Sequence, residues 1–399
     1  MGTAFPQGFP RRRFRYLIMA SALRQTLRRA LLRGPLATAW VTRRGRQMDR
    51  AYGAHLRAGL NALAVPAAAP AVGGAGGLRQ ILLIADVLWE QHSLVPELSR
   101  IAPTQLLDLH PALEIRSSAT TEPQRVARAI ADFAAAQRGS TPDVVLFYAR
   151  PALLSDEVFA TLRQAWSGPL LGLNLDDKLQ FFPCAILADH NDDYARWAGK
   201  FDLNLTSCLL AADWYRQRGF ACLYMPPGLH QAAHLSPPER ARFDYQISFA
   251  GTERFERRVL IAQLQQVGIS IQLFGRGWPG AKWVENLPAV FRASQLNLGV
   301  GFPTPSQTLT NLKGRDFECP GAGACYLTTY NWELPLHFEL GKEMLCYRSV
   351  EELIELYAYY VKRPEECLRI AQAAWRRCAA EHTWEKRFRN IFRHIGFKV

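Results

Sequence analysis

The chain has 399 residues, 49 % hydrophobic and 21 % charged, which suits two or three folded domains and excludes a disordered chain. Its net charge of +13 sits at one end: residues 1–60 hold 13 Arg, no Lys and one acidic residue, Asp49, leaving 35 basic against 34 acidic residues in the rest. A near-neutral main body argues against a nucleic-acid partner, and the lack of a run of about 18 apolar residues against a transmembrane helix. None of the eight cysteines is in Cys-x-x-Cys or zinc-finger spacing, so they read as reduced thiols of a cytoplasmic protein and predict no metal.

In residues 1–62, Tyr16, Ala20, Leu23, Leu27 and Leu31 recur at helical spacing, flanked by Arg24, Arg28, Arg29 and Arg33. This basic amphipathic extension suits an anionic membrane surface, and equally a helix packed on the main body or an oligomerisation arm. Residues 63–77 alternate Ala, Pro and Gly without charge and read as a linker.

A strand–helix alternation then runs from 78 to 235. Gln80–Asp86, Asp143–Ala149, Pro169–Leu175, Asp202–Thr206 and Ala221–Met225 are apolar runs of strand length, with helices expected over Val126–Ala136, Ser155–Trp166 and Leu209–Gln217. Such a pattern builds a parallel sheet whose ligands lie at the C-terminal strand ends, where Asp86, Trp89, His92, Arg150 and Asp176-Asp177 fall. Asp176-Asp177 lacks the Asp-x-Asp spacing of a metal site and suits acceptor binding or general-base work; neighbours on a strand point opposite ways, so one of the two faces the cleft. We take Asp177 and His92 as the catalytic candidates, His92 having a structural reading as well. Asp192-Asp193 reads as a solvated turn.

His234–Arg242 reads as an interdomain link, and a second alternation occupies 243–380. Strands are expected at Tyr245–Ala250, Ile269–Phe274, Leu298–Gly301 and Cys325–Thr328, with helices at Phe255–Val267, Phe291–Leu296, Val350–Lys362 and Pro364–Ala380. Thr383 can cap a last helix within 381–399. Between them lies Gly314-Arg315-Asp316-Phe317-Glu318-Cys319-Pro320-Gly321-Ala322-Gly323-Ala324. On a short helix Arg315 and Glu318 share a face. An Arg, a carboxylate and bare glycine backbone suit a nucleoside diphosphate; an ordinary helix ending at Pro-Gly with a surface ion pair has the same letters.

The second half carries Ser248-Phe249-Ala250-Gly251-Thr252 with Arg257-Arg258, then Phe274-Gly275-Arg276-Gly277-Trp278, then Arg315-Asp316-Phe317-Glu318 leading to Gly321-Ala322-Gly323. The series continues through Phe338-Glu339-Leu340-Gly341-Lys342-Glu343 with Tyr347 to His382-Thr383-Trp384-Glu385-Lys386-Arg387, over about residues 243–392. In these motifs and their order it resembles the CgeB-like (spore-maturation-protein-like) glycosyltransferases of GT-B architecture. The resemblance implies an α/β GT-B fold, two Rossmann-like domains facing a cleft, with 78–235 as acceptor domain, 243–380 as nucleotide-sugar domain and 381–399 returning toward the first. It implies transfer of a sugar from a nucleotide-diphosphate sugar to a glycan, lipid-linked or surface-structure acceptor, without metal or cofactor. The implied donor site is Gly251, Thr252, Arg258, Gly275, Arg276, Arg315, Glu318, Gly321 and Gly323, with Glu318 on the ribose and Gly321-Ala322-Gly323 toward the phosphates. Trp278 suits base stacking or interior packing. One departure stands out: the wider group often has a second Glu eight residues on, where this chain has Tyr326. The rival readings are a non-catalytic GT-B assembly protein and a nucleotide-sugar epimerase.

Overall fold

The computed structural model describes residues 76–86, 90–114, 120–137, 141–148, 150–181, 193–238, 243–281, 284–301 and 310–399. The basic extension, almost all of the 63–77 linker, Trp89 and Asp192 lie outside them.

Two parallel sheets form two Rossmann-like domains. The first sheet holds β1 (Ile81–Ala85), β2 (Thr104–Asp108), β3 (Val144–Tyr148), β4 (Leu170–Asn174), β5 (Leu203–Thr206) and β6 (Cys222–Tyr224), in the order β2-β1-β3-β4-β5-β6. Its connecting helices are α1 (Glu90–Ser99), α2 (His110–Glu114), α3 (Glu122–Ala136), α4 (Asp156–Ala165), α5 (Asp177–Gln180), α6 (Ala195–Ala198), α7 (Leu209–Gln217) and α8 (Gln231–His234). β1 shows why the apolar runs become central strands: Leu82 and Ile84 enter one core layer and Ile81, Leu83 and Ala85 the opposite one, so both faces are covered. Polar caps fix where the helices begin. Ser155 Oγ accepts from Val158 N at the start of α4, and Thr121 and Gln124 form a reciprocal capping box on α3.

The second sheet holds β7 (Tyr245–Ala250), β8 (Gln272–Phe274), β9 (Ser294–Leu298), β10 (Tyr326–Thr329) and β11 (Leu345–Tyr347), ordered β11-β10-β9-β7-β8. Its helices are α9 (Phe255–Gln266), α10 (Leu287–Arg292), α11 (Arg315–Gly321), α12 (Val350–Tyr360) and α13 (Pro364–Glu381), and α14 (Trp384–His394) ends the chain. The strand expected at Leu298–Gly301 lies earlier, as β9. Its polar letters disguised it, because the buried Gln295 and Asn297 are satisfied by carbonyls: Gln295 Nε2 donates to Tyr360 O at 2.8 Å and Asn297 Nδ2 to Phe291 O at 3.0 Å.

α14 leaves the second domain and inserts Trp384, Phe388, Ile391 and Phe392 into the same layer as Ile81, Leu83, Leu171 and Leu203 of the first. The buried Glu97 carboxylate ties this together, accepting from Gln231 N, Gln231 Nε2 and Glu385 N at 3.1–3.2 Å. Burial raises the Glu97 pKa, against the hydrogen bonds and nearby Arg100 that lower it.

Candidate functional site

The chain order reverses between β7 and β9 in the second sheet and between β1 and β3 in the first. At such switch points the loops leaving adjacent strands diverge and open a crevice. In the second domain the crevice is bounded by the turn after β7, the turn after β8 and the segment 310–314 that enters α11. The two turns are clasped: Gly251 N donates to Phe274 O at 2.9 Å, Glu253 N to Arg276 O at 2.7 Å and Trp278 Nε1 to Gly251 O at 2.7 Å. Gly275 is required here, since it sits at φ +108° and a Cβ would lie 2.7 Å from Gly251 O. Trp278 is 7 % exposed, which settles its two readings for interior packing.

Three cations meet at this crevice. Arg257, 6 % exposed, donates from Nη1 to Thr252 O at 2.8 Å and lies over the Phe249 ring. Lys313 reaches across to the first domain, its Nζ 3.7 Å from Asp176 Oδ1. Arg315 opens α11. The Lys313 ammonium is depressed first by burial; Asp176 pulls it back up, and the charges of Arg315 and Arg257 push it further down. Both guanidinium charges are therefore felt at the Lys313 ammonium. Glu318 folds back over the helix start, where a Cβ on Gly314 would lie 3.0 Å from its Oε1. Asp316 is turned inward, accepting from Lys313 N at 2.8 Å and from Thr328 Oγ1, and burial raises its carboxyl to about 6.

The first domain meets this crevice with the residues after β4. Asp176 accepts from Asn311 Nδ2 at 3.4 Å and faces Lys313. Lys178 Nζ donates to Thr310 O at 2.6 Å and pairs with Glu333 at 3.5 Å, both side chains without solvent exposure. Glu333 also accepts from Leu209 N at 3.4 Å. Beside it, Tyr224 Oη and His337 Nε2 are 3.0 Å apart. His382 Nε2 lies 2.9 Å from His337 O, and Arg387 Nη2 donates to His382 Nδ1 at 2.9 Å. Burial first, then the Arg387 charge, lowers His382 to about 4, so it sits neutral with Nε2 carrying the proton. This seam joins the domains on the side where the chain crosses twice.

The expected site residues fall in three groups. Gly251, Thr252, Gly275, Arg276, Arg315 and Glu318 are at the crevice. Arg258 is half-exposed and paired with Glu253 at 2.9 Å, while its neighbour Arg257 points inward. The spacing carried that signal: Arg257 leads Leu260, Ile261 and Leu264 at three, four and seven residues, the buried stripe of α9. Lys313 was missed too, though it flanks Gly314-Arg315. Gly321 and Gly323 are not at the crevice. They close the opposite end of α11, where a Cβ on Gly321 would strike Leu229 and one on Gly323 would lie 2.6 Å from Ser236 O of the link. Their smallness serves packing, which corrects the phosphate-facing expectation.

Asp177 is the second correction. It is 1 % exposed and turned into the first domain, where Thr206 Oγ1 and Tyr215 Oη (2.9 Å) donate to it. Burial raises its carboxyl to about 7. The first helical residue points back into the core, and Asp176, the cap position, takes the cleft face. His92 is exposed and within hydrogen-bond distance of Gln91 only, at 2.9 Å, among the described residues. Asp86 and Arg150 pair at 2.8 Å at the switch point of the first sheet. Among the described residues no group of three or more His, Cys, Asp or Glu could hold a metal ion.

Residues 254–393 match the family model described as glycosyl transferase-like. The chain superposes on sucrose-phosphate synthase from Thermosynechococcus elongatus with a TM-score of 0.54 at 11 % identity, covering 79 % of this chain and 99 % of that one. Anabaena HepE, solved with UDP and glucose, gives 0.54 at 12 % identity over 79 % and 98 % of the two chains. The fold is GT-B. TarM aligns more partially, with a TM-score of 0.50 at 10 % identity over 67 % of this chain and 58 % of its own. No curated protein matches the sequence. At these identities the GT-B likeness establishes the two-domain architecture alone. Among the described residues no helix is long and apolar enough to cross a membrane.

Proposed function

We propose that this GT-B protein transfers a sugar from a nucleoside-diphosphate sugar, within the CgeB-like branch that its motifs resemble. The observation that carries the reading is the convergence of Arg257, Lys313 and Arg315 on the switch point of the second sheet, with Glu318 folded over the helix start. The cations oppose the charge that builds on a departing diphosphate, and because they are prearranged in a partly dry crevice they act without reorganisation. Glu318 supplies an acceptor for ribose hydroxyls. This chemistry asks for no metal. A UDP-linked donor is favoured because HepE, of the same fold, was solved with UDP and glucose. The acceptor, a glycan or lipid-linked intermediate, would lie against Asp86, Arg150 and Asp176 on the first domain. Membrane contact through residues 1–60 and a cytoplasmic location complete the reading.

Titration with UDP, GDP, TDP, CMP and ADP, with EDTA and with magnesium, tests it. One nucleotide is expected to bind regardless of metal. Arg257→Gln and Lys313→Ala are expected to weaken it by about 10- to 100-fold each, in line with roughly 1.5–3 kcal/mol for a charge-assisted hydrogen bond. Arg258→Gln is expected to leave affinity within about twofold, since exposed pairs contribute little. Equal binding by all three variants overturns the site. A second reading, a GT-B assembly protein without turnover, draws on the enclosure of Asp177, the carboxylate first expected to be the base. Nucleotide binding with no sugar released to any acceptor or to water would favour it.

A further inference from the structure

The loop that follows β10 carries a surface that neither the core nor the donor crevice uses. Asn331, Glu333 and Leu334 are buried, while Trp332, Pro335 and Leu336 face solvent. Trp332 is 43 % and Leu336 50 % exposed, the two of them on one short loop; the other large apolar side chains this open among the described residues, Val267 and Tyr359, lie on different elements. We propose that this loop is a saccharide-stacking subsite, the Trp332 indole packing against the C–H face of a pyranose, and that the acceptor is an oligosaccharide running from there to the donor crevice. The subsite stands by itself; its use for an acceptor rests on the transferase reading above.

The rings are held before any ligand arrives. Tyr330 and Trp332 meet edge to face, with ring centroids 5.8 Å apart and planes at 71°. The Arg348 guanidinium lies over the Tyr330 ring at 4.0 Å, and its Nη1 is 3.8 Å from Glu352 Oε1. Both the ring pair and the cation over a ring are favourable geometries, so Tyr330 steadies the indole from one side. A large, stiff side chain loses little freedom when a ligand covers it.

The chemistry around the rings selects the occupant. A pyranose has faces of C–H bonds and a rim of hydroxyls, so it stacks on an aromatic ring and hydrogen-bonds at its edge. Arg348 and Glu352, both partly exposed, supply a donor fork and a carboxylate acceptor beside Tyr330. A hydrocarbon chain gains nothing from those charges. A protein partner needs about 800 Å² on each side, and Trp332 and Leu336 together offer roughly 200 Å².

The position fits a glycan that also reaches the donor. β10 lies beside β9, which borders the switch point, so this loop leaves the sheet about 4.8 Å from a strand that bounds the crevice, at the same C-terminal end. Glu333, the next residue after Trp332, pairs with Lys178 of the first domain, which sets the loop at the rim of the interdomain seam. A sugar stacked there lies outside the crevice, and a chain that touches both has more than one unit.

The test is isothermal titration calorimetry of the full chain with cellohexaose, maltohexaose and chitohexaose, and with glucose as the single-unit control. At least one hexasaccharide is expected to bind, and glucose to bind more weakly. Trp332→Ala is expected to weaken the hexasaccharide about tenfold, and Trp332→Leu, which keeps apolar bulk without a flat ring, to do the same. Trp332→Phe, the least disruptive of the three, is expected to stay within about threefold of the parent. UDP affinity and oligomeric state are expected to be unchanged in all three. The proposal is overturned by a parent that binds no hexasaccharide or binds glucose as tightly, or by binding that survives Trp332→Ala or Trp332→Leu. It is also overturned by a parent dimer that Trp332→Ala dissociates in sedimentation equilibrium, which would make the patch an interface between copies. Hexasaccharide binding without nucleotide binding would remove the transfer and keep the subsite, and nucleotide binding without hexasaccharide binding would do the reverse.

Discussion

At the scale of single residues, the buried carboxylates decide how the protein responds to pH. Burial raises Asp177 from 3.8 to about 7 despite two hydroxyl donors, so the folded state holds its proton over a range where the unfolded chain has lost it. Between about pH 4 and 7 the native state binds more protons than the unfolded one, and the contribution of Asp177 to stability therefore falls as pH rises through that window and is constant above it. Asp316, raised to about 6 by burial, acts in the same direction over a narrower range. Asp177→Asn isolates the first group, because the amide fills the same space and never ionises. Its unfolding free energy relative to the parent is expected to climb with pH from 4 to 7 and then level, by about 1.4 kcal/mol for each unit of pKa displacement. A difference that is flat across pH 4–8 in urea titrations would show that Asp177 is ionised throughout.

At the scale of elements, the seam between β4–α5 of the first domain and the segment after β10 of the second is built from an ion pair with no exposure. Such a pair is costly to break from one side: Lys178→Met strands the Glu333 carboxylate and is expected to cost about 3–5 kcal/mol, whereas Lys178→Met with Glu333→Gln recovers most of that loss. Denaturant midpoints of the two singles and the double form the cycle, and additive losses would show that the two charges do not meet. This seam was invisible in the sequence because its partners are 155 residues apart. What could be read locally was read well: the runs 80–86, 143–149 and 169–175 became β1, β3 and β4 with ends displaced by one residue. β9 was displaced because its polar side chains are hydrogen-bonded inside, and the three-residue β11 was too short for any period to show. The crevice divides the same way. Arg315 and Glu318 stood out as a local pair, but Lys313 gains its meaning from Asp176, which only the fold brings near it.

At the scale of the whole molecule, the C-terminal helix runs from one sheet to the core of the other. α13 ends on the second domain, Leu229 pairs with Thr383 at the crossing, and α14 then supplies four large side chains to the first domain's core. Without it, the sheet face that carries Ile81, Leu83, Leu171 and Leu203 would be covered only in part, by Leu94 and Leu98 of α1. Phe388 is the sharpest probe, being fully buried and stacked between Trp384 and Phe392 at ring-centroid distances of 6.0 Å. Phe388→Ala removes a ring from a close-packed layer and is expected to cost about 3–5 kcal/mol. That loss falls on the first domain although the residue belongs to a helix reached through the second. Unfolding followed by Trp166 and Trp197, in the first domain's core, and by Trp278, in the second's, distinguishes two architectures. If α14 couples the domains, the parent unfolds in one transition at all three sites, and Phe388→Ala separates them, with the Trp166 and Trp197 signals moving to lower denaturant than Trp278. Coincident shifts in the variant would mean that the remaining interdomain contacts, the Lys178–Glu333 pair and the Tyr224–His337 contact among them, hold the two domains together without a fully packed α14.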